Sequence, residues 1–104
     1  MTRQEIINII TPVFENLPIE KASIFGSYAR NDSTAGSDVD LVLKFTGNKY
    51  GLLFSSLRIQ LEEILGMPVD VVSENGLNCL EPTMQENIRK EAICFYERKS
   101  KWHT

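Results

Sequence analysis

The sequence has 104 residues, of which 42% are hydrophobic, and its formal net charge is −3 at pH 7. This length suits one domain with one hydrophobic core, and we expect that domain to span residues 1–104. A negative net charge argues against direct, sequence-independent binding of nucleic acid, which needs a basic surface. The basic residues Arg98, Lys99 and Lys101 lie near the C-terminus, where we expect a solvated tail.

Two further features concern the class of protein. No apolar run is as long as a membrane-spanning helix, and the N-terminal MTRQEIINII is too polar and too periodic for a secretory signal. We therefore expect a soluble cytoplasmic protein with no membrane partner. Cys79 and Cys94 are far apart in sequence and have no neighbouring cysteine or histidine, so we interpret both as reduced thiols.

The chain begins with an amphipathic segment. Thr2 and Glu5 have the spacing of a capping box, which predicts a helix over residues 3–16. Pro12 removes a helix hydrogen bond, so a kink or a restart with Thr11 as its cap is expected there. Periodicity and turn residues predict, in order, a strand over 21–25, a helical turn over 27–30, a loop over 31–37, a strand over 39–45, a loop over 48–51, a helix over 51–65, a strand over 68–73, a helix over 81–91 and a strand over 92–97.

Strands separated by helices indicate an α/β (α+β) domain with a mixed β-sheet flanked by helices. The helix over 51–65 carries an apolar stripe that should face the core. The residues of this stripe are Leu53, Leu57, Leu61, Ile64 and Leu65.

Carboxylates lie at the start of two apolar strands. Asp38 and Asp40 are two positions apart in SDVDLVLKF, and residues at that spacing in a strand project from the same face. Asp70 is flanked by valines in PVDVV, and the three carboxylates converge if the two strands are neighbours. Like charges repel unless a cation offsets them, and Mg²⁺ prefers carboxylates, water and phosphates. The pattern therefore favours a magnesium site, with two ions as one arrangement, although a solvated strand end also explains a pair such as Asp38 and Asp40.

Gly26 and Ser27 follow the first predicted strand. A glycine there lets the backbone approach a ligand closely, and the helical turn after it offers N–H groups to a phosphate. The Ser27 hydroxyl adds a donor, and Arg30, one turn later, is placed to meet a phosphate or a carboxylate. Taken alone, a Gly-Ser pair before a helix is most often a turn and a cap. Combined with the aspartates, its order and spacing indicate a triphosphate site.

Together, FGSYAR, SDVDLVL and PVDVV resemble the signature of the DNA polymerase beta-like nucleotidyltransferase superfamily, and most of all its minimal, MNT-type members. The resemblance covers roughly residues 20–97, including the ending NIRKEAICFYE. It implies a nucleotidyltransferase fold, Mg²⁺ as cofactor and ATP as donor. It also implies that Asp38 and Asp40 bind metal, and that Asp70 completes the metal site and helps to deprotonate the acceptor.

The same resemblance implies that Gly26 and Ser27 hold the triphosphate. Because MNT-type proteins are often paired with HEPN-domain partners, it implies an antitoxin in a hetero-oligomer that transfers AMP to a hydroxyl, expected to be a tyrosine, of a ribonuclease toxin. Two alternatives remain open: neutralisation of the partner by binding alone, and nucleotidyl transfer to a small molecule or RNA. Asn31 stands where many relatives have glycine, and asparagine tolerates the left-handed conformation. Trp102 and His103 are interpreted as tail residues without a catalytic role.

Overall fold

A computed structural model describes residues 1–47 and 51–98 of the chain. Its elements are α1 (Arg3–Glu15), β1 (Ile19–Phe25), α2 (Gly26–Arg30), β2 (Val39–Phe45), α3 (Gly51–Leu65), β3 (Val69–Ser73), α4 (Glu74–Asn78), α5 (Pro82–Glu91) and β4 (Ile93–Glu97). The predicted fold class is confirmed, and α4 is the element that the sequence pattern did not predict. The predictions for residues 48–50 and for Lys99, Lys101, Trp102 and His103 lie outside the described residues.

The four strands in this part of the chain form one mixed sheet with the order β3-β2-β1-β4. The strand β1 pairs antiparallel with β2 and with β4, whereas β2 and β3 are parallel. Parallel pairing brings the N-terminal ends of β2 and β3 to the same end of the sheet. Antiparallel pairing brings the C-terminal end of β1 there as well, so the segments with Gly26, Asp40 and Asp70 meet.

The main core lies between α1, α3 and one face of the sheet. Its fully buried side chains include Ile6, Ile10, Phe14, Ile24, Leu41, Leu43, Leu57 and Leu61. A smaller cluster of Val42, Leu77 and Ile88 joins β2 to α4 and α5. Because neighbouring residues of a strand face opposite ways, Asp40 and Val42 lie on the α5 side of the sheet.

Helix α1 differs from its prediction at Pro12. The capping box of Thr2 and Glu5 is present as predicted, but the helix continues through Pro12 without a restart. The Thr11 hydroxyl donates to the Ile7 carbonyl at 2.6 Å and so does not cap a new helix. Pro12 is exposed, so the carbonyl that loses its helix partner can reach water.

The structure qualifies two other predictions. The stripe on α3 is buried at Leu57, Leu61 and Leu65 and partly buried at Leu53, but Ile64 is 42% exposed because it lies at the edge of the face that these residues bury. Arg98 is exposed, as expected for a solvated tail, but it is also tied to the chain at the end of α1. Its Nη2 donates to the carbonyls of Glu15 and Leu17 at 3.0 and 2.9 Å, because carbonyls at the end of a helix lack helix partners.

The structure also describes the two cysteines and the character of the helices. Cys79 and Cys94 are free and exposed, as predicted for two reduced thiols. Among the helices of residues 1–47 and 51–98, none has the length and apolar character needed to cross a membrane.

Candidate active site

Asp40 and Asp70 lie side by side in the sheet. Their Cα atoms are partners in the parallel pairing of β2 with β3, so the strands are neighbours as the converging-carboxylate prediction requires. Asp38 precedes β2 and is exposed, as is Asp70, whereas Asp40 is half-buried. Val39 and Leu41 on either side of Asp40 are fully buried, which fixes the direction of the Asp40 side chain away from the core.

The environment of Asp40 disfavours its negative charge. Burial, followed by the charges of Asp70, Asp38 and Glu91, raises the pKa of Asp40 from 3.8 to about 6. The Arg30 guanidinium acts in the opposite direction and lowers this pKa. In the metal-free protein, the site therefore has an excess of negative charge that a cation would offset.

The chemistry of these side chains fits Mg²⁺. Within the described ranges, the carboxylates of Asp38, Asp40 and Asp70 take part in no ion pair. No three His, Cys, Asp or Glu side chains in those ranges already surround a metal-sized position. Mg²⁺ commonly binds one or two protein carboxylates and completes its coordination shell with water and phosphate. Asp40 and Asp70 therefore provide enough protein ligands for one such ion. The structure thus pairs Asp40 with Asp70 but does not gather all three carboxylates around one position.

Gly26 lies directly against Asp40. Its φ of +74° is left-handed, and a Cβ atom at this position would overlap Asp40 Oδ2. The pairing of Phe25 with Asp40 across β1 and β2 produces this approach. Position 26 therefore needs glycine for two reasons, the backbone conformation and the space beside the carboxylate.

The turn after Gly26 has the predicted form. The C-cap residue of helix α2 is Asn31, whose φ of 63° and ψ of 29° are left-handed, as expected for an asparagine in place of glycine. Ser27 is half-buried, and its hydroxyl makes no hydrogen bond to the residues that the structure describes. The Ser27 side chain thus remains available to a ligand beside Asp40.

Glu91 belongs to this site, and the sequence pattern did not identify it. The Gly26 N–H donates to Glu91 Oε1 at 3.0 Å, and Arg30 Nη1 donates to Glu91 Oε2 at 2.8 Å. Arg30 Nε also donates to Asp32 Oδ2 at 3.1 Å. Two groups predicted to hold a triphosphate, the Gly26 amide and Arg30, therefore contact carboxylates in this structure. One signal was available: Glu91 ends a helix, where the helix dipole disfavours an anion without another partner.

Comparisons with known proteins agree with this geometry. The chain matches the Polymerase beta, Nucleotidyltransferase family over residues 6–101. A protein of Methanocaldococcus jannaschii is 38% identical over 93 residues, which cover 89% of this chain and 97% of the relative. The name of that relative describes it, provisionally, as a protein adenylyltransferase. A solved structure, provisionally described as a minimal nucleotidyltransferase, is 30% identical, has a TM-score of 0.73, and matches over 89% of this chain and 95% of that chain.

A more distant likeness concerns the fold alone. It is to a chain from the solved complex of a tri-AMPylated Shewanella oneidensis HEPN toxin with an MNT antitoxin. The identity is 17%, the TM-score is 0.68, and the match covers 93% of this chain and 74% of that chain. The family match spans residues 6–101, which is most of the chain and includes Gly26, Asp40, Asp70 and Glu91. The chain therefore belongs to the Polymerase beta nucleotidyltransferase family.

Proposed function

We propose that this protein transfers AMP from ATP, with Mg²⁺, to a tyrosine hydroxyl of a partner HEPN-domain toxin and acts as its antitoxin in the cytoplasm. The observation that carries the proposal is the pairing of Asp40 with Asp70 beside the Gly26 turn. The name of the Methanocaldococcus jannaschii relative supports a protein acceptor. The fold neighbour in complex with a HEPN toxin supports the kind of partner and a hetero-oligomer.

The aspartates have two tasks in this proposal. Asp40 and Asp70 would hold the magnesium, together with Asp38. When bound, Mg²⁺ would offset the negative charge of the reacting phosphates and would activate the attacking oxygen. Asp70 is exposed on the edge strand β3, where an acceptor can approach from solvent, and it helps to take the proton of the acceptor hydroxyl. The acceptor oxygen bonds to the α-phosphorus, the bond from that phosphorus to the bridging oxygen breaks, and pyrophosphate leaves.

The turn that begins at Gly26 holds the nucleotide. The missing side chain at Gly26 leaves room for the Asp40 carboxylate against this turn, and the Ser27 hydroxyl donates to a phosphate bound there. Arg30 is about half-exposed, and its Nη2 makes no bond within the described part of the chain, so that group is left for a phosphate oxygen.

The test uses a HEPN-domain toxin as the acceptor, taken from the neighbouring gene where that gene encodes such a domain. It is incubated with this protein, ATP and Mg²⁺, and its intact mass is measured. We expect a gain of one or more AMP units with wild type and none with the Asp38→Asn, Asp40→Asn double variant. A Glu63→Gln, Glu81→Gln double variant removes two exposed carboxylates instead and should transfer AMP as wild type does.

Two further measurements, neutralisation of the toxin in cells and the fate of labelled AMP, separate the alternatives. If wild type adds no AMP and the aspartate variant still neutralises the toxin in cells, the protein acts by binding alone. If labelled AMP from ATP appears on RNA or on a small molecule and the toxin mass is unchanged, the acceptor has been assigned wrongly.

A further inference from the structure

We infer that Glu91 is a positioning residue, which holds the Gly26–Arg30 turn in the place where it binds the triphosphate. The inference rests on the proposed function, because it concerns the nucleotide site of that function. Glu91 is not expected to touch the nucleotide. It acts through the two groups that it holds, the Gly26 amide and the Arg30 guanidinium.

One carboxylate ties both ends of α2. Gly26 is the first residue of this helix and Arg30 is the last, and each donates to a different oxygen of Glu91. A helix of 5 residues has little stability of its own. Its N-cap residue, Phe25, makes no side-chain capping bond, so Glu91, which is 65 positions further along the chain, supplies that contact.

The contact of Glu91 with Gly26 also affects the surroundings of Asp40. Gly26 lies between the two acidic residues, because its N–H contacts Glu91 and its Cα faces Asp40 Oδ2. With such close packing, a shift of Gly26 changes the space that Asp40 and a phosphate share. A misplacement of about 1 Å in an active site can lower a rate by about 100-fold.

The position of Glu91 is poor for helix stability. It is the last residue of α5, where the helix dipole favours the cations of Arg89 and Lys90 and disfavours a carboxylate. The Glu91 side chain is only 25% exposed, so it has also given up much of its hydration. Its contacts with α2 offset both costs, which indicates that Glu91 serves α2 rather than α5.

The test compares Glu91→Gln with wild type and with Glu86→Gln as matched control. Glutamine has one acceptor oxygen, and its NH₂ group is a donor, so the variant keeps at most one of the two bonds. Glu86 lies on the same helix and pairs only with Lys90 among the described residues. We expect the Kd for ATP with Mg²⁺, measured by calorimetry, to rise about 10- to 100-fold in Glu91→Gln and to stay unchanged in the control.

Transfer kinetics give a second readout. The KM for ATP should rise more than kcat falls in Glu91→Gln, and the thermal midpoint should match that of Glu86→Gln. Should Glu91→Gln fail to fold, Glu91→Asp tests the same tie, because its shorter side chain keeps the charge but cannot hold the Gly26 amide and the Arg30 guanidinium in the same places, and it should also weaken ATP binding.

The outcomes are distinct. If wild type binds and transfers but Glu91→Gln binds ATP as tightly or more tightly, the positioning role is wrong and the proposed function stands; tighter binding would mean that Glu91 competes with the phosphates. A lowered thermal midpoint with an unchanged Kd also overturns the inference. If wild type neither binds ATP nor transfers AMP, the proposed function fails, and the inference fails with it.

Discussion

Gly26 and Asp40 are packed so closely that a Cβ atom at position 26 would overlap Asp40 Oδ2. The contact joins the end of β1 to the start of β2, and it places the nucleotide-binding turn beside a metal-binding candidate. Both the position of the backbone and that of the carboxylate therefore depend on the absence of a side chain at position 26.

Replacement of Gly26 by alanine should harm stability and activity together. The left-handed backbone costs about 1–2 kcal/mol in unfolding free energy for a residue with a Cβ atom. The overlap with Asp40 adds to this cost and should lower AMP transfer by about 100-fold. Urea unfolding and the transfer assay measure the two effects.

Gly66→Ala is the matched control for that variant. Gly66 has a φ of +69° but no atom near the position of a new Cβ, so the backbone cost is similar and the clash is absent. We expect a similar loss of stability with AMP transfer retained. Equal losses of activity in the two variants would mean that the contact with Asp40 has no special role.

The stability of the metal-free protein should depend on pH through Asp40. Its pKa is raised from 3.8 to about 6, so the folded state binds this proton more tightly than the unfolded state does. The stabilisation is complete below pH 3.8 and is lost as the pH rises through about 6. In EDTA, the unfolding free energy of wild type should therefore fall relative to Asp40→Asn over this window.

Addition of Mg²⁺ should reverse that difference. A bound cation favours the charged form of Asp40, so wild type should gain stability at neutral pH while Asp40→Asn gains less. Thermal midpoints with and without Mg²⁺ give the comparison. An equal rise in thermal midpoint in both proteins would mean that Mg²⁺ does not bind at Asp40.

Asp70→Asn should move the pKa of Asp40 back toward 3.8, because the charge of Asp70 is the largest cause of the shift after burial. Carbon-13 NMR titration of the Asp40 carboxyl measures this, with Glu63→Gln as the control for a distant charge. AMP transfer should fall by about 100-fold or more, as for loss of a general base. An unchanged Asp40 pKa in the variant would show that the two carboxylates do not interact.

The core boundary on α3 predicts a contrast between two apolar residues. Leu61 is fully buried, and Leu61→Ala should lower the unfolding free energy by about 2–5 kcal/mol. Ile64 is 42% exposed, and Ile64→Ala should change the unfolding free energy by less than about 0.5 kcal/mol if that side chain has no core role. Similar losses would restore Ile64 to the core stripe that the periodicity predicts.

Much of the fold was predictable from local patterns. The strand Val39–Phe45 and the helix Gly51–Leu65 have the predicted bounds, because the period of apolar residues is set by the geometry of each element itself. The capping box of Thr2 and Glu5 and the left-handed Asn31 are likewise local, since the groups involved are within a few residues of one another. The family followed from motifs that are short and ordered along the chain.

Other features depended on how the chain returns on itself. The pairing of Asp40 with Asp70 required the order of the strands, and the raised pKa of Asp40 required its burial and its neighbours. Pro12 is accommodated because its side of α1 is exposed, which periodicity alone did not settle.

The partnership of Glu91 with Gly26 is the clearest case. The sequence by itself determined which residues carry charge, which strands are apolar and where a glycine must permit a turn. Only the tertiary structure decided that a carboxylate 65 positions away would meet the Gly26 amide, because α5 packs beside α2 at the end of the sheet. Such contacts depend on the path of the whole chain, so the periodicity of neighbouring residues cannot predict them.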